Sequence, residues 1–281
     1  MDCTLIVNPG AGSYSHRLLG ETIAHLAAEQ IYTRVYTPLT AEQATGYAAS
    51  ASAAGEVVLA MGGDGTINSV INGLKPGSTL GIIPAGTVNV LAREIGVRTP
   101  RRAWEAIVQG RVRPLTVGRV KNADQERLFT LMVGIGIDGR VVKNVRSEEK
   151  HLLGKGAYAL ALVRSLQTRS DQRLMIGYEG GDLECDSIIV CNASLYGGDI
   201  RMARQANVFS PQLEALFIRS SSHLEYIETA SRLLLDLDIA RRLLLPQLSI
   251  NGIKPVQVDG DFFGYSPITV DAIPEYITIF C

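Results

Sequence analysis

The sequence predicts two domains: an α/β domain built on a Rossmann-like parallel sheet, then a mostly antiparallel β-sandwich domain. Three observations carry this expectation. Short apolar runs of strand length alternate with segments of helical period in the first part of the chain. Beyond Pro114 that alternation gives way to strands following one another. The apolar runs of the first part also end on polar turns that contain glycine, where open α/β sheets bind ligands. The expected boundaries are 1–114, rejoined by 272–281, for the first domain and 115–271 for the second.

Residues 3–7 (Cys-Thr-Leu-Ile-Val) read as a short buried strand, followed by the turn Asn8-Pro9-Gly10-Ala11-Gly12-Ser13. Ser15 offers an N-cap for a helix reaching about residue 30. A second strand is expected over 33–37, ending at Thr37, then an alanine-rich helix over 41–54 and a third strand over 56–60. After Gly62-Gly63-Asp64-Gly65-Thr66, the apolar residues Ile67, Val70, Ile71 and Leu74 recur at helical spacing, and Gly73 is placed to end that helix. The fourth strand spans 79–84, and Ala85-Gly86-Thr87 leads into a helix through Asn89, Leu91, Ala92 and Ile95. A helix over 101–108 closes the first part. Strands then follow at 115–121, 128–133, 173–178, 186–193, 213–219, 248–250, 256–259 and 268–270, with helices at 138–146, 155–168 and 224–245. The last run, 276–280, is expected to return to the first domain.

A chain of 281 residues that is 46% apolar can bury a substantial core, and a net charge of −1 leaves no electrostatic footprint for nucleic acid. Cys3, Cys185, Cys191 and Cys281 show no metal-ligand spacing and read as free thiols of a reducing cytosol. His16, His25, His151 and His223 are scattered, which argues against zinc. The N-terminus enters a strand without a signal-peptide pattern, and no apolar run approaches the roughly 20 residues of a membrane span. The expectation is a cytoplasmic protein without a transmembrane segment. The apolar and basic run 232–245 could lie on the inner membrane face. Asp236 and Asp238 within it weigh against anionic lipid, and a helix packed on the second domain's sheet is the plainer reading. A homodimer is left open.

The turn at Gly62-Gly63-Asp64-Gly65-Thr66 carries the most chemistry. Glycine lets backbone turn tightly and approach a ligand closely. The free N–H groups at the start of the following helix favour an anion, and a phosphate fits that place. Asp64 repels a bare phosphate, so its expected task is to hold a magnesium ion or to act on an acceptor hydroxyl.

The ordered set Asn8-Pro9-x-Ala11-Gly12, Gly62-Gly63-Asp64-Gly65-Thr66-x-Asn68, Pro84-Ala85-Gly86-Thr87-x-Asn89, Gly136-x-Asp138 and Val258-Asp259-Gly260-Asp261 resembles the bacterial diacylglycerol kinase and sphingoid-base kinase family of lipid kinases. The resemblance spans nearly the whole chain. It implies a first domain like that of NAD kinases and diacylglycerol kinases, with ATP near Asn8, Thr37, Gly62, Gly63, Asp64, Gly65, Thr66, Gly86, Thr87 and Asn89. It implies that Asp64 sits beside the transferred phosphate or its magnesium, with Asp259 as a second metal candidate. Asp261 stands where the family has a glutamate that accepts the acceptor's proton, and the β-rich domain admits a lipid substrate from a membrane surface. The chain departs from the family at Ser69 and Val90, where acidic residues are common, and at Ser210-Pro211, where an Asp-Gly pair often holds a structural magnesium.

Taken singly, several of these signals have plainer meanings. Asn8-Pro9 reads as a turn, Asp259-Gly260 as a hairpin turn, Asp261 as an exposed turn carboxylate, and Thr87 or Asp138 as an N-cap. His151 and Lys155 read as part of a solvated basic loop. Two rivals to a lipid kinase stay open. An NAD kinase shares the glycine-rich turn, and a nucleotide-binding regulator without catalysis would tolerate the departures.

Overall fold

A computed structural model describes residues 2–136, 139, 172–198, 200–219, 225 and 241–281. Apart from residue 139, the expected helices 138–146 and 155–168, with Asp138, His151 and Lys155, lie outside the described residues, as does nearly all of 224–240.

The chain divides into two units, one of Met1–Val117, Asn207–Pro211 and Ile273–Cys281, the other of Gly118–Ala206 and Gln212–Ala272. The stretch 207–211 joins the first unit. The reason is local: Thr116 N–H donates to Val208 O at 2.8 Å, and the Arg113 guanidinium lies 3.5 Å over the Phe209 ring.

The first unit alternates β1 (Asp2–Val7), α1 (His16–Ala28), β2 (Tyr32–Tyr36), α2 (Ala41–Ala53), β3 (Val57–Gly62), α3 (Asp64–Ile71), β4 (Thr79–Pro84), α4 (Val90–Glu94) and α5 (Pro100–Gln109). Its strands pair in parallel in the order β2-β1-β3-β4. β1, β3 and β4 are buried almost throughout, which is why they read as continuous apolar runs; β2 lies at the edge and is largely exposed. Helix starts obey local rules. Ser15, Thr40 and Thr99 accept hydrogen bonds from Leu18, Gln43 and Arg102 N–H, and Pro100 occupies the first turn of α5.

β5 (Val112–Lys121) leads into the second unit, whose strands are β6 (Glu126–Phe129), β7 (Met132–Ile135), β8 (Leu174–Tyr178), β9 (Gly181–Cys185), β10 (Ser187–Cys191), β11 (Leu195–Tyr196), β12 (Ile200–Arg201), β13 (Leu213–Ile218), β14 (Arg241–Leu245), β15 (Gln247–Asn251), β16 (Pro255–Val258) and β17 (Asp261–Tyr265). β18 (Ile268–Phe280) begins in this unit and ends in the first, where Thr278 stands parallel to Thr79 of β4. One layer has the order β14-β13-β10-β7-β16-β17, antiparallel at every step. The other contains β15 between β8 and the start of β18. Val133, Ile188 and Val256 of the first layer share one buried core with Leu174, Ile250 and Val270 of the second. That is a β-sandwich.

The strands expected over 268–270 and 276–280 are one strand, β18, and two other expectations differ more. The strand expected over 128–133 is two strands, β6 and β7, because the N–H groups of Thr130, Leu131 and Met132 turn aside to a carboxylate described below. Arg241–Leu245, expected as the end of a helix, is strand β14, so those five residues form no membrane-surface helix. A run of consecutive leucines fits either period. Pairing decides here: Leu245 lies opposite Leu213, and Arg242 meets the fully buried Glu214 at 3.0 Å. Glu214 also accepts N–H bonds from Gln205 and Ala206, so its charge is compensated on both oxygens.

Candidate functional site

Register brings the three glycine-bearing turns together. Val7 stands opposite Met61, and Gly62 opposite Pro84, so the chain leaves β1, β3 and β4 at one level. Thr37 follows the Ile6–Tyr36 pair and is exposed on the same edge. Backbone bonds then stitch the turns together. Asn8 N–H donates to Met61 O, Ala85 N–H to Gly62 O, and Ser13 N–H to Ala85 O, at 2.9, 2.9 and 2.7 Å.

Side chains complete the network. Asn8 Oδ1 accepts from Gly10 N–H, while its Nδ2 donates to Thr66 Oγ1 at 2.9 Å. Asn89 adopts the left-handed conformation (φ 56°), and its amide bonds both the N–H and the C=O of Gly86 at 2.8 Å. Asparagine tolerates that backbone better than most residues. Ser13 Oγ donates to Gly86 O at 3.3 Å. Ser13 was not among the expected site residues. A serine after a glycine-rich turn carries no spacing signal, and only the fold brings it to Gly86.

Close approach explains the glycines. A Cβ on Gly86 would stand 2.4 Å from Gly63 Cα, and one on Gly62 would stand 2.6 Å from Thr66 Oγ1. A Cβ on Gly12 would meet Thr87 Oγ1 at 2.6 Å. These glycines are required by protein packing. Gly65 is different: a Cβ there meets nothing within 4 Å, and the residue is exposed in the first turn of α3. Gly65→Ala is therefore expected to fold normally and to stabilise the protein by about 0.5–1 kcal/mol, the usual helix preference for alanine. If a phosphate lies against this backbone, the same variant weakens nucleotide binding. Calorimetric titration alongside a melting curve checks both; unchanged affinity would mean that no ligand approaches Gly65.

Asp64 opens α3, and its Oδ1 accepts from Leu91 N–H at 3.2 Å. Burial pushes its pKa up, opposed by backbone hydrogen bonds from Val90 and Leu91. A raised pKa makes a carboxylate a better base. The site thus combines the N-terminus of α3 with a partly buried acid held by backbone N–H groups of the neighbouring turn.

Asp259 and Asp261 belong to the second unit. Asp259 and Gly260 both have positive φ (48° and 89°) and form a tight hairpin turn between β16 and β17. Asp259 Oδ2 accepts from Thr130 N–H and Oγ1 at 2.9 and 3.3 Å, and Oδ1 from Leu131 and Met132 N–H, both at 2.9 Å. Burial raises its pKa, against the pull of these bonds and of Arg127. Its oxygens are committed to backbone, which leaves little for a metal. In Asp259→Asn an NH2 group would face N–H donors. The expected loss is about 1–3 kcal/mol of stability, seen as a lower urea midpoint with unchanged slope; a midpoint equal to wild type would show these bonds to be dispensable. Asp261 is exposed and pairs with Arg127 Nη2 at 3.0 Å.

At Ser210-Pro211 the donors suit a cation poorly. Ser210 N–H donates to Asn207 O, Phe209 N–H to Asn207 Oδ1, and the Arg113 guanidinium lies on Phe209. Among the described residues, no three His, Cys, Asp or Glu side chains gather as a metal site. Burial pushes the Cys3 thiol up to about 11 and the Cys185 thiol up to about 12, so neither is a nucleophile near neutrality. No helix among the described residues is long and apolar enough to cross a membrane.

Residues 2–120 match the family model of the diacylglycerol kinase catalytic domain, and residues 131–281 that of the YegS C-terminal NAD kinase beta sandwich-like domain. The chain is 28% identical to a diacylglycerol kinase of Bacillus subtilis over 75% of this chain and 73% of that protein. It is 30% identical to a diacylglycerol kinase of Staphylococcus aureus over 48% of this chain and 42% of that one. A crystal structure of a diacylglycerol kinase from Bacillus anthracis superposes with TM-score 0.79 at 25% identity, covering 99% of this chain and 96% of that one. An NAD kinase from Archaeoglobus fulgidus, solved with ATP, has TM-score 0.56 at 12% identity over 100% of this chain and 94% of that one, a likeness of fold alone.

Proposed function

The chain joins a diacylglycerol kinase catalytic domain, residues 2–120, to a YegS C-terminal NAD kinase beta sandwich-like domain, residues 131–281, and on that premise we propose that it is an ATP-dependent lipid kinase. It transfers the γ-phosphate of ATP to a lipid hydroxyl, with diacylglycerol or a related lipid of a membrane surface as acceptor. The observation that carries this reading is the interlocking of three glycine-bearing turns at one edge of the parallel sheet, with Asp64 at the start of α3.

Phosphoryl transfer asks for positioning, for compensation of phosphate charge and for a base toward the acceptor hydroxyl. The N–H groups opening α3 supply donors for phosphate oxygens. Thr66 and Asn8 hold that turn in shape, and Asn89 and Ser13 hold its neighbour. Magnesium is expected to arrive with the nucleotide, since such ions use phosphates, waters and only one or two protein carboxylates. Asp64 is the carboxylate at this turn and would hold the ion there. It neutralises charge on the phosphates when bound. Asp261, exposed at its turn, is assigned the acceptor's proton.

The test is incubation with labelled ATP and magnesium in the presence of diacylglycerol in mixed micelles, a sphingoid base, or NAD. Label in phosphatidic acid supports the reading. Label in NADP would make the chain an NAD kinase, and ATP binding without transfer to any of the three would make it a regulator.

A further inference from the structure

One short stretch of chain holds the Asp259-Gly260-Asp261 turn from three sides. Gln125 Nε2 donates to Phe263 O, Arg127 Nη2 meets Asp261 Oδ2 at 3.0 Å, and Thr130, Leu131 and Met132 N–H bond the Asp259 carboxylate. These contacts share an order: 125 reaches 263, 127 reaches 261, and 130–132 reach 259. Residues 125–132 therefore run antiparallel to residues 259–263. Asp261 itself sits on β17, the edge strand of its layer, with β16 as its one sheet neighbour in that order. Without an outside partner, its side chain has several rotamers open to it.

We propose that Arg127 is a positioning residue for Asp261, fixing the rotamer in which that carboxylate meets the acceptor hydroxyl. The proposal rests on the reading of Asp261 as the acceptor's base. The chemistry suits the task. A guanidinium presents donors in a rigid plane, so it orients a carboxylate more sharply than an ammonium does. The pair engages Asp261 Oδ2, which leaves Oδ1 for the acceptor. The pair is also too exposed to matter much for folding, with the two side chains 27% and 56% accessible. Asp259 keeps its bonds to Thr130, Leu131 and Met132 N–H when Arg127 is changed, and these hold the turn in shape.

The experiment is a double-mutant cycle on the full chain, assayed with ATP, magnesium and diacylglycerol in mixed micelles. Arg127→Met is expected to lower kcat about 10- to 100-fold, the cost of a misplaced catalytic group, with KM for ATP and melting temperature near wild type. Arg127→Lys should recover only part of the loss. The combination of Arg127→Met with Asp261→Asn should be no slower than Asp261→Asn alone, because a positioning residue affects turnover through the group it positions. Wild-type kcat for Arg127→Met, or losses that multiply in the double variant, would overturn the proposal while leaving Asp261 as base. Full activity of Asp261→Asn would instead overturn the base reading itself. If the wild-type chain transfers no phosphate to diacylglycerol, the proposal falls together with the proposed function.

Discussion

Asp64→Asn is expected to lower turnover by at least about 100-fold, the usual cost of losing a preorganised charge at a phosphoryl-transfer centre. It is also expected to raise the melting temperature at neutral pH. The two effects share one cause. Burial lifts the Asp64 pKa, so the folded state holds that proton more tightly than the unfolded chain does. A group with a raised folded pKa favours folding below its unfolded pKa and loses that contribution as pH rises through the folded value. At neutral pH the ionised, partly buried carboxylate is therefore a stability cost. Asparagine removes the charge and keeps an oxygen to accept from Leu91 N–H. Melting curves from pH 4 to pH 8 should show the advantage of Asp64→Asn largest at pH 8 and shrinking toward pH 4. A variant that is equally active would remove Asp64 from the mechanism. One less stable than wild type at pH 8 would show the carboxylate to be a net structural support.

Asp261→Asn is expected to lower kcat by about 10²–10⁴, the range of a general base, while ATP affinity stays unchanged. Asp261→Glu should retain activity, because it keeps the charge and lengthens the reach by one methylene. A magnesium series separates the rival roles. If Asp261 holds the ion, raising magnesium partly restores the asparagine variant; if it accepts the proton, no concentration does. If it is merely a turn carboxylate paired with Arg127, both variants behave like wild type at every concentration. That last result would move the proton to Asp64, whose raised pKa suits it to the task.

Much of this protein was legible in the residues alone, because the deciding forces are local or periodic. Buried parallel strands must be apolar throughout, so β1, β3 and β4 announced themselves, and serine and threonine caps marked the starts of α1, α2 and α5. Glycines at strand ends pointed to one edge of the sheet. What the sequence could not distinguish was why each glycine is there. Gly63 and Gly86 touch each other across two turns, whereas Gly65 faces open space, and the motif writes all of them alike. Short strands with no period of their own also escaped. β9 and β17 exist because neighbours offer them a ladder, and β14 is a strand because β13 pairs with it. The split of 128–133 and the commitment of Asp259 have a single origin, a carboxylate reaching back more than a hundred residues to three N–H groups. Composition and local pattern thus determined the fold class and the identity of the turns. Only tertiary contact decided which polar side chains the protein itself consumes and which it leaves for a ligand, since a hydrogen bond between distant residues leaves no trace in spacing.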